Sequence, residues 1–493
     1  MTAKRIMIQG TMSGAGKSLL TAALCRIFHQ DGMKTAPFKS QNMALNSFIT
    51  EDGGEMGRAQ VLQAQAAGIR PDVRMNPVLL KPSSDTGSQV IVNGKVFGNY
   101  RAAEYFRMKK DLIPQILEAY ESLAAENDVI VIEGAGSPAE INLKQDDIVN
   151  MGLAKLVNAP VILAGNIDPG GVFAQLYGTV ALLEKEERAR IVGTVINKFR
   201  GDVKILEPGL EMLEKLTGVP VLGVVPYMHL DLDDEDSLSV RLDRKEAHRP
   251  VDIAVIRLPR LSNFTDFTPL ELHPALGVRY VSSLRELGEP DLVILPGTKN
   301  TMGDLAWLRQ SGLETAVLRL YEDATPVLGI CGGFQMMGEE VSDPMNTEHG
   351  GTMRGMGLLP CRTHFAPEKT QVQTKAAVTA DPFCGAEVSG YQIHMGQTDT
   401  RGAKAFCTLA DGAADGAWKD HAYGTYIHGL FDSGEMTAKL AKWLMKRKGL
   451  EAPDLQPESH SAYQERQLDL LAQTVRQSLD MEAVYRAMEE WDG

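Results

Sequence analysis

The chain has 493 residues, too many for a single hydrophobic core, so we expect at least two domains. Its 44% hydrophobic and 23% charged residues are typical of a folded globular protein. The formal net charge of -14 disfavours phosphate-rich partners, so we expect no nucleic acid partner. The 5 cysteines show no C-x-x-C spacing, which disfavours a disulfide framework or a zinc site. Since no signal peptide or membrane-spanning run is recognisable, we predict a cytoplasmic protein without a membrane partner.

A glycine-rich stretch at residues 10–18 follows the apolar run 5–9 and precedes a helical pattern over 19–28. In such a strand–turn–helix unit, backbone N–H groups converge on phosphate oxygens, Lys17 adds a positive charge and Ser18 offers its hydroxyl to Mg²⁺. The alternative is a tight turn with a fortuitous Lys-Ser pair. The spacing is one residue longer than usual. The residues predicted to bind ATP here are Gly10, Thr11, Gly14, Ala15, Gly16, Lys17 and Ser18.

Polar side chains follow later apolar runs of the N-terminal half. Glu133 ends the run 128–132, and Asn197 follows the run 191–196. Because ligands bind at the carboxyl ends of parallel strands, we expect Glu133 to be a Mg²⁺ ligand together with Ser18. A capping or surface glutamate is the alternative. Asn197 is suited to hydrogen-bond an adenine edge, although its spacing alone is a weak signal.

Two lysines are candidates for binding a substrate carboxylate or a transferring phosphoryl group. Lys39 follows the predicted strand 34–38, and Lys81 lies in the stretch 76–82, which its prolines predict to be a loop. For both, a solvated surface lysine is the alternative. Alternating strands and helices through about residue 225 predict a doubly wound parallel sheet in an α/β fold.

A charged stretch at 231–250 is the best candidate for a linker. It divides the chain into a first domain at 1–230 and a second at 251–445, followed by a helical C-terminal extension at 446–493. We expect this extension to contribute packing and no chemistry.

Cys331 lies in the pattern Gly-x-Cys-x-Gly between the apolar run 326–330 and a helical pattern. This arrangement is typical of a nucleophile elbow, in which the helix N-terminus lowers the thiol pKa. The N–H of Gly332 and one from the loop of Gly297 are the candidate oxyanion donors. His428 is our first choice for the base and His394 is its competitor. A buried inert cysteine is the alternative for Cys331.

These motifs together resemble known families. Residues 329–333 with a downstream histidine resemble a class I glutamine amidotransferase domain. The loop 10–18 with the run 133–136 resembles dethiobiotin synthetase and its ATP-dependent carboxylate-activating relatives. The combination in this order resembles the cobyric acid synthase family over residues 1 to about 445.

The resemblance implies a glutamine-dependent, ATP-dependent amidation of the b, d, e and g carboxylates of adenosylcobyrinic acid a,c-diamide. It implies ATP and Mg²⁺ as cofactors, a corrinoid and glutamine as small-molecule partners, and roles for Cys331 as nucleophile and His428 as base. A homodimer is compatible with this interpretation. Many class I glutaminases carry a glutamate two residues after the histidine, where this chain has Leu430. We therefore expect a Cys-His dyad whose imidazole is oriented by another, unidentified group.

Two alternative functions stay open at this point. A cobyrinic acid a,c-diamide synthase would share the architecture and the chemistry. A regulatory P-loop ATPase with an inactive glutaminase module would need neither an active Cys331 nor a bound corrinoid.

Overall fold

A computed structural model describes residues 3–82, 87–232, 249–348, 350–451 and 460–491. We call residues 3–232 the N-terminal part, residues 249–451 the C-terminal part and residues 460–491 the C-terminal helices. The predicted linker 231–250 falls largely outside the described residues, and the proposed domain boundaries stay predictions.

The strands and α-helices of the N-terminal part are, in chain order, β1 (Lys4–Gly10), α1 (Lys17–Gln30), β2 (Thr35–Phe38), β3 (Gln41–Met43), β4 (Ser47–Ile49), β5 (Glu55–Gly57), α2 (Arg58–Ala66), β6 (Val78–Pro82), β7 (Gly87–Val92), β8 (Lys95–Arg101), α3 (Ala102–Met108), α4 (Ile113–Glu126), β9 (Val129–Glu133), α5 (Met151–Leu156), β10 (Val161–Asn166), α6 (Val172–Leu182), α7 (Lys185–Ala189), β11 (Ile191–Phe199), α8 (Val203–Thr217) and β12 (Val221–Pro226).

The elements that follow are β13 (Val251–Ile256), α9 (Thr268–Leu272), β14 (Leu276–Val281), α10 (Leu284–Leu287), β15 (Leu292–Leu295), α11 (Thr301–Gln310), α12 (Leu313–Glu322), β16 (Val327–Ile330), α13 (Gly332–Met337), β17 (Glu340–Asp343), β18 (Gly351–Arg354), β19 (Arg362–Val378), β20 (Glu387–Asp399), β21 (Cys407–Leu409), β22 (Ala414–Asp415), β23 (Ala417–Lys419), β24 (Ala422–Thr425), β25 (Ile427–His428), α14 (Glu435–Arg447), α15 (His460–Ser478) and α16 (Met481–Glu489).

The N-terminal part is built on a six-stranded parallel sheet in the order β12-β11-β10-β1-β9-β2. Its strands are apolar because both faces are covered: Ile6 and Ile8 pack into one hydrophobic layer and Met7 into the other. The strand order reverses around β1, so a crevice forms at the carboxyl end of this central strand. The predicted doubly wound parallel sheet is confirmed.

The C-terminal part contains a second six-stranded sheet in the order β14-β13-β15-β16-β24-β23, in which only the edge strand β23 is antiparallel to its neighbour. A further sheet joins β17, β18, β19, β20 and β25, with β19 and β20 forming a long antiparallel pair. Strand β16 lies inside the six-stranded sheet and leads directly into Cys331. Neighbouring strand ends therefore surround this cysteine.

The stretch 76–82 is not the loop that the sequence predicts. Residues Val78–Pro82 form β6, which pairs with β3 and β7 in a four-stranded sheet completed by β8. The prolines stand before the strand and at its last residue, where a missing N–H does not interrupt the ladder. Val78, Leu79 and Leu80 are buried between them, so long-range pairing overrides the local turn signal.

The C-terminal helices pack on the N-terminal part. Leu468, Leu471 and Val475 of α15 join the same hydrophobic cluster as Leu24 and Ile27 of α1. The predicted amphipathic segment 464–488 is divided at Asp480, whose side chain caps α16. Among the described residues, the structure contains no helix long and apolar enough to cross a membrane.

Replacing Leu471 with alanine tests this packing. Leu471 is fully buried against the N-terminal part, whereas its neighbour Leu470 is 47% exposed. We expect Leu471→Ala to lower the free energy of unfolding by about 2–5 kcal/mol, because it leaves a cavity. The matched control Leu470→Ala should change it by less than about 0.5 kcal/mol. Chemical denaturation measures both, and equal effects would contradict the packing.

Candidate nucleotide and glutaminase sites

The glycine-rich loop joins β1 to α1 at the centre of the first sheet. Gly16 has φ 88°, and a Cβ there would lie 2.1 Å from Asn197 Nδ2, so a larger residue would displace the loop. Lys17 Nζ donates to the carbonyls of Met12 at 3.1 Å and Gly136 at 3.0 Å. The lysine ammonium is therefore held across the mouth of the loop, where phosphate oxygens would bind.

Glu133 lies beside this loop with its carboxylate buried. It accepts hydrogen bonds from Ser18 Oγ at 2.8 Å, Lys39 Nζ at 2.9 Å and Gln63 Nε2 at 2.6 Å. Glu133 and Lys39 are 1% and 5% exposed, so the surface alternatives considered for both residues are wrong. The Ser18 hydroxyl and the Glu133 carboxylate are hard oxygen donors next to each other, which fits Mg²⁺.

The side-chain amide of Asn197 contacts the glycine-rich loop. Its Nδ2 donates to the Ala15 carbonyl at 2.9 Å, and its Oδ1 accepts from the N–H of Lys198 at 2.9 Å. The side chain thus supports the phosphate loop. The adenine contact stays a prediction.

Lys81 does not share a site with Lys39. Its Nζ donates to Glu55 Oε1 at 2.8 Å and to Ser47 Oγ at 2.9 Å, and Lys369 of the C-terminal part binds the same Glu55. Lys81 is 4% exposed and lines a cavity of about 40 Å³ that also contains Cys331. The surface alternative is therefore wrong for Lys81 too, and its partners are at the boundary between the two parts.

Cys331 occupies a sharp turn between β16 and α13, with φ 52° and ψ -109°. A Cβ at Gly333 would lie 1.9 Å from the Leu295 carbonyl, and one at Gly329 would lie 2.5 Å from Met337 Sδ. Only glycine therefore fits on both sides of the cysteine. Such strain is typical of a nucleophile elbow.

The predicted oxyanion residues lie close to this turn. A Cβ at Gly332 would lie 2.6 Å from Thr298 Cγ2, and one at Gly297 would lie 3.1 Å from His428 Cε1. The loop 297–298 thus packs directly against the cysteine turn and the imidazole. The donor roles of the two N–H groups stay predictions.

His428 has a buried carboxylate partner that the sequence analysis missed. Its Nδ1 lies 2.7 Å from Asp266 Oδ2, and Asp266 Oδ1 accepts from the N–H of Gly429 at 3.0 Å. Burial lowers the pKa of His428, but the charge and hydrogen bond of Asp266, together with Cys331, raise it to about 10. Cys331, His428 and Asp266 therefore form a triad. A raised pKa favours the protonated imidazole, which is the form that would stabilise a thiolate and donate a proton.

No local signal could have identified Asp266. It lies 162 residues before His428, within the short 3₁₀-helix Phe264–Phe267, and no motif surrounds it. The usual glutamate position holds Leu430, which is fully buried. The carboxylate is instead supplied from a distant part of the chain.

His394 lines the same cavity but has a different environment. Its Nδ1 lies 2.7 Å from the Gly396 carbonyl, and its ring stacks on Tyr426 with centroids 3.7 Å apart. Burial outweighs that hydrogen bond and lowers the pKa of His394 to about 4. The geometry therefore favours His428 as the base.

Lys299 and Glu348 are two further cavity residues that the sequence analysis missed. The N–H of Thr301 donates to Glu348 Oε2 at 3.0 Å. Burial raises the pKa of Glu348 to about 7 despite the opposing charge of Lys299. The cavity beside Cys331 thus offers charges of both signs.

Comparison with known proteins agrees with this architecture. The model of the CobQ/CobB/MinD/ParA nucleotide binding domain matches residues 6–237, and that of the CobB/CobQ-like glutamine amidotransferase domain matches residues 252–436. The fold and the two sites thus define a glutamine amidotransferase in which a P-loop domain precedes the glutaminase domain.

Relatives that match over nearly the whole chain identify the family within this class of enzymes. The chain is 57% identical to cobyric acid synthase from Ruminiclostridium cellulolyticum, covering 99% of this chain and 98% of that protein. It is 55% identical to cobyric acid synthase from Lachnoclostridium phytofermentans, covering 99% of each. Against cobyric acid synthase from Salmonella typhimurium the identity is 52%, covering 98% of each. The chain belongs to the cobyric acid synthase family of cobalamin biosynthesis. The family and enzyme class predicted from sequence are confirmed.

Replacing Asp266 with asparagine tests the triad. Without the negative charge, the pKa of His428 should fall from about 10, because only Cys331 then opposes the effect of burial, and NMR titration measures this shift. Glutamine hydrolysis should fall by about 10²–10⁴-fold. Asp252→Asn is the matched control, because Asp252 pairs with Arg279 between β13 and β14, elsewhere in the C-terminal part. Wild-type hydrolysis by Asp266→Asn would exclude the triad.

Proposed function

We propose that this protein amidates the b, d, e and g carboxylates of adenosylcobyrinic acid a,c-diamide with ammonia taken from glutamine, at the expense of ATP. The observation that carries the proposal is the presence of two buried constellations in one chain, Ser18-Lys39-Glu133 beside the phosphate loop and Asp266-His428-Cys331. Membership of the cobyric acid synthase family supports the choice of substrate.

Activation of the carboxylate takes place in the N-terminal part. A carboxylate oxygen of the corrinoid attacks the γ-phosphorus of ATP, ADP leaves, and an acyl phosphate forms. Lys17 binds the phosphate oxygens and stabilises the charge that develops on the leaving group. A Mg²⁺ ion bound by Ser18 and Glu133 would supply further charge neutralisation.

Glutamine hydrolysis supplies the nitrogen. The Cys331 thiolate attacks the side-chain amide carbon of glutamine, and the N–H groups of Gly332 and the Gly297 loop hold the oxyanion. His428 protonates the departing ammonia, and water then hydrolyses the thioester to glutamate. Ammonia attacks the acyl phosphate, phosphate leaves, and a proton is lost to give the amide.

The cavity beside Cys331 is lined by side chains of both charges, as the ammonium and carboxylate groups of a free amino acid require. Glu348 is a partner for the α-ammonium group of glutamine, and Lys299 and Lys369 are partners for its α-carboxylate. Burial of these groups makes a mismatched ligand costly, because each charge needs a counter-charge. We therefore propose that these charged side chains bind glutamine, and since a cavity of about 40 Å³ is too small for this amino acid, the site must widen as glutamine enters.

The remaining assignments belong to the same proposal. We place the protein in the cytoplasm, where ATP and glutamine are available. A homodimer stays a prediction that the mass in solution tests.

Replacing Cys331 with alanine separates the two reactions. Cys331→Ala should lose amidation driven by glutamine, because the thiolate is absent, and keep amidation driven by high ammonium. Counting amides by mass spectrometry on the a,c-diamide measures both, and cobyrinic acid as a second substrate tests for an a,c-diamide synthase. Cys361→Ala is the matched control, since Cys361 is also buried. Loss of both reactions in Cys331→Ala would refute separate sites.

Replacing Glu133 with glutamine tests the activation site. Glu133→Gln should lower amidation by about 10- to 100-fold with either nitrogen donor, because a neutral amide binds Mg²⁺ and Lys39 less well. Glu126→Gln is the control, since the Glu126 side chain is 58% exposed. Unchanged ammonium-driven amidation would contradict the assignment. The same steady-state assay, varied in Mg²⁺ concentration, should show a raised requirement for the ion.

A further inference from the structure

Strand β20 runs beside the nucleophile and brings a second imidazole to its cavity. The Cys331 thiol donates to the Ile393 carbonyl at 3.5 Å. The next residue, His394, lines the same cavity as Cys331 and His428. His394 is partly exposed, whereas His428 is buried. Of these two imidazoles, His394 is therefore the one that water can reach from the solvent.

The contacts of His394 fix its tautomer and its orientation. Nδ1 lies 2.7 Å from the Gly396 carbonyl, and since a carbonyl can only accept, this nitrogen carries the proton. Nε2 of the neutral ring is then a hydrogen-bond acceptor, and it has no hydrogen-bond partner in the part of the chain that the structure describes. Stacking on Tyr426, at an interplanar angle of 20°, fixes the plane of the ring. His394 thus presents a fixed acceptor nitrogen that a water molecule can use.

The two imidazoles of the cavity favour opposite protonation states. Burial and the charge of His428 lower the pKa of His394 to about 4, against the effect of the Gly396 carbonyl. His428 is also buried, but Asp266 and Cys331 raise its pKa to about 10. Titratable groups whose pKa values are driven apart in this way are typical of an acid and a base in one reaction. Thioester hydrolysis needs such an acceptor, because water becomes a good nucleophile only as it loses a proton.

We propose that His394 is a catalytic residue, the general base that activates water for hydrolysis of the thioester on Cys331. This role rests on the proposed function, in which ammonia leaves before water enters. The water proton moves to His394 Nε2, the water oxygen bonds to the carbonyl carbon, and the C–S bond breaks, returning its electron pair to Cys331 as a thiolate. The new carboxylic acid gives its proton to His428, which had lost one to ammonia, and His394 releases its own proton to the solvent.

A second ionisable acceptor of the cavity, Glu348, is less suited to this step. Its Oε2 accepts from the Thr301 N–H at 3.0 Å. Burial raises its pKa to about 7, and the nearby charge of Lys299 opposes this effect. The proposed function also assigns this carboxylate to the α-ammonium group of glutamine. Nε2 of His394 has neither commitment, so His394 is the better base for water.

Replacing His394 with glutamine tests this role, because the variant keeps a polar side chain and removes the base. We expect His394→Gln to lower steady-state glutamine hydrolysis by about 10²–10⁴-fold and to accumulate the γ-glutamyl thioester on Cys331. Acid quenching followed by mass spectrometry of the intact protein measures the thioester. Hydroxylamine should release it as γ-glutamyl hydroxamate, because this amine attacks a thioester without a general base. His364→Gln is the matched control, since His364 is exposed on the neighbouring strand β19.

Ammonium-driven amidation should persist in His394→Gln, which shows that the variant is folded, and His394→Asn should behave in the same way. Slower hydrolysis without accumulated thioester would overturn the proposal, since that result is expected if His394 only binds glutamine or positions Cys331. Hydrolysis at the wild-type rate would overturn it as well, and so would accumulation of the thioester in Glu348→Gln instead. Failure of the proposed function is distinguishable, because the wild type would then form no amide from ammonium, ATP and the a,c-diamide, whereas the thioester is measured on the protein itself.

Discussion

The buried contact between Asp266 and His428 is the interaction on which the glutaminase site depends. Burial alone would keep the imidazole neutral, and the adjacent carboxylate reverses this by raising the pKa of His428 to about 10. In the proposed reaction, the protonated imidazole beside Cys331 would serve both steps, since it would stabilise the thiolate and then protonate ammonia. The carboxylate is thus supplied by the 3₁₀-helix, whereas the position two residues after the histidine holds Leu430.

A second buried carboxylate organises the nucleotide site by the same principle. Glu133 is almost inaccessible, so its negative charge requires donors from several elements, and Ser18, Lys39 and Gln63 provide them. The loop-helix unit, the edge strand β2 and helix α2 are thereby fixed to the end of β9. Lys39 consequently lies beside the glycine-rich loop, where the carboxylate of Glu133 neutralises its charge.

Polar contacts fasten the two parts together near the cavity of Cys331. Glu55 binds Lys81 from its own part and Lys369 from the other, and these cations hold the pKa of Glu55 well below its ordinary range against the effect of burial. Because a buried ion pair tolerates little displacement, such contacts fix the position of one part relative to the other. In this arrangement Ser47 contacts Tyr391, whose ring stacks on His428 of the triad.

Short-range patterns in the sequence predicted the local units. The apolar runs indicated the strands of the two sheets. The glycine spacing indicated the turns at Lys17 and Cys331, because short-range backbone geometry allows few alternatives there. The sequence analysis missed three features: the β3–β6–β7–β8 sheet, the contact of Asp266 with His428 and the location of Lys81. These features depend on tertiary contacts, since hydrogen bonds between separate elements leave no periodic trace in the sequence, and the contact between Asp266 and His428 joins residues 162 positions apart.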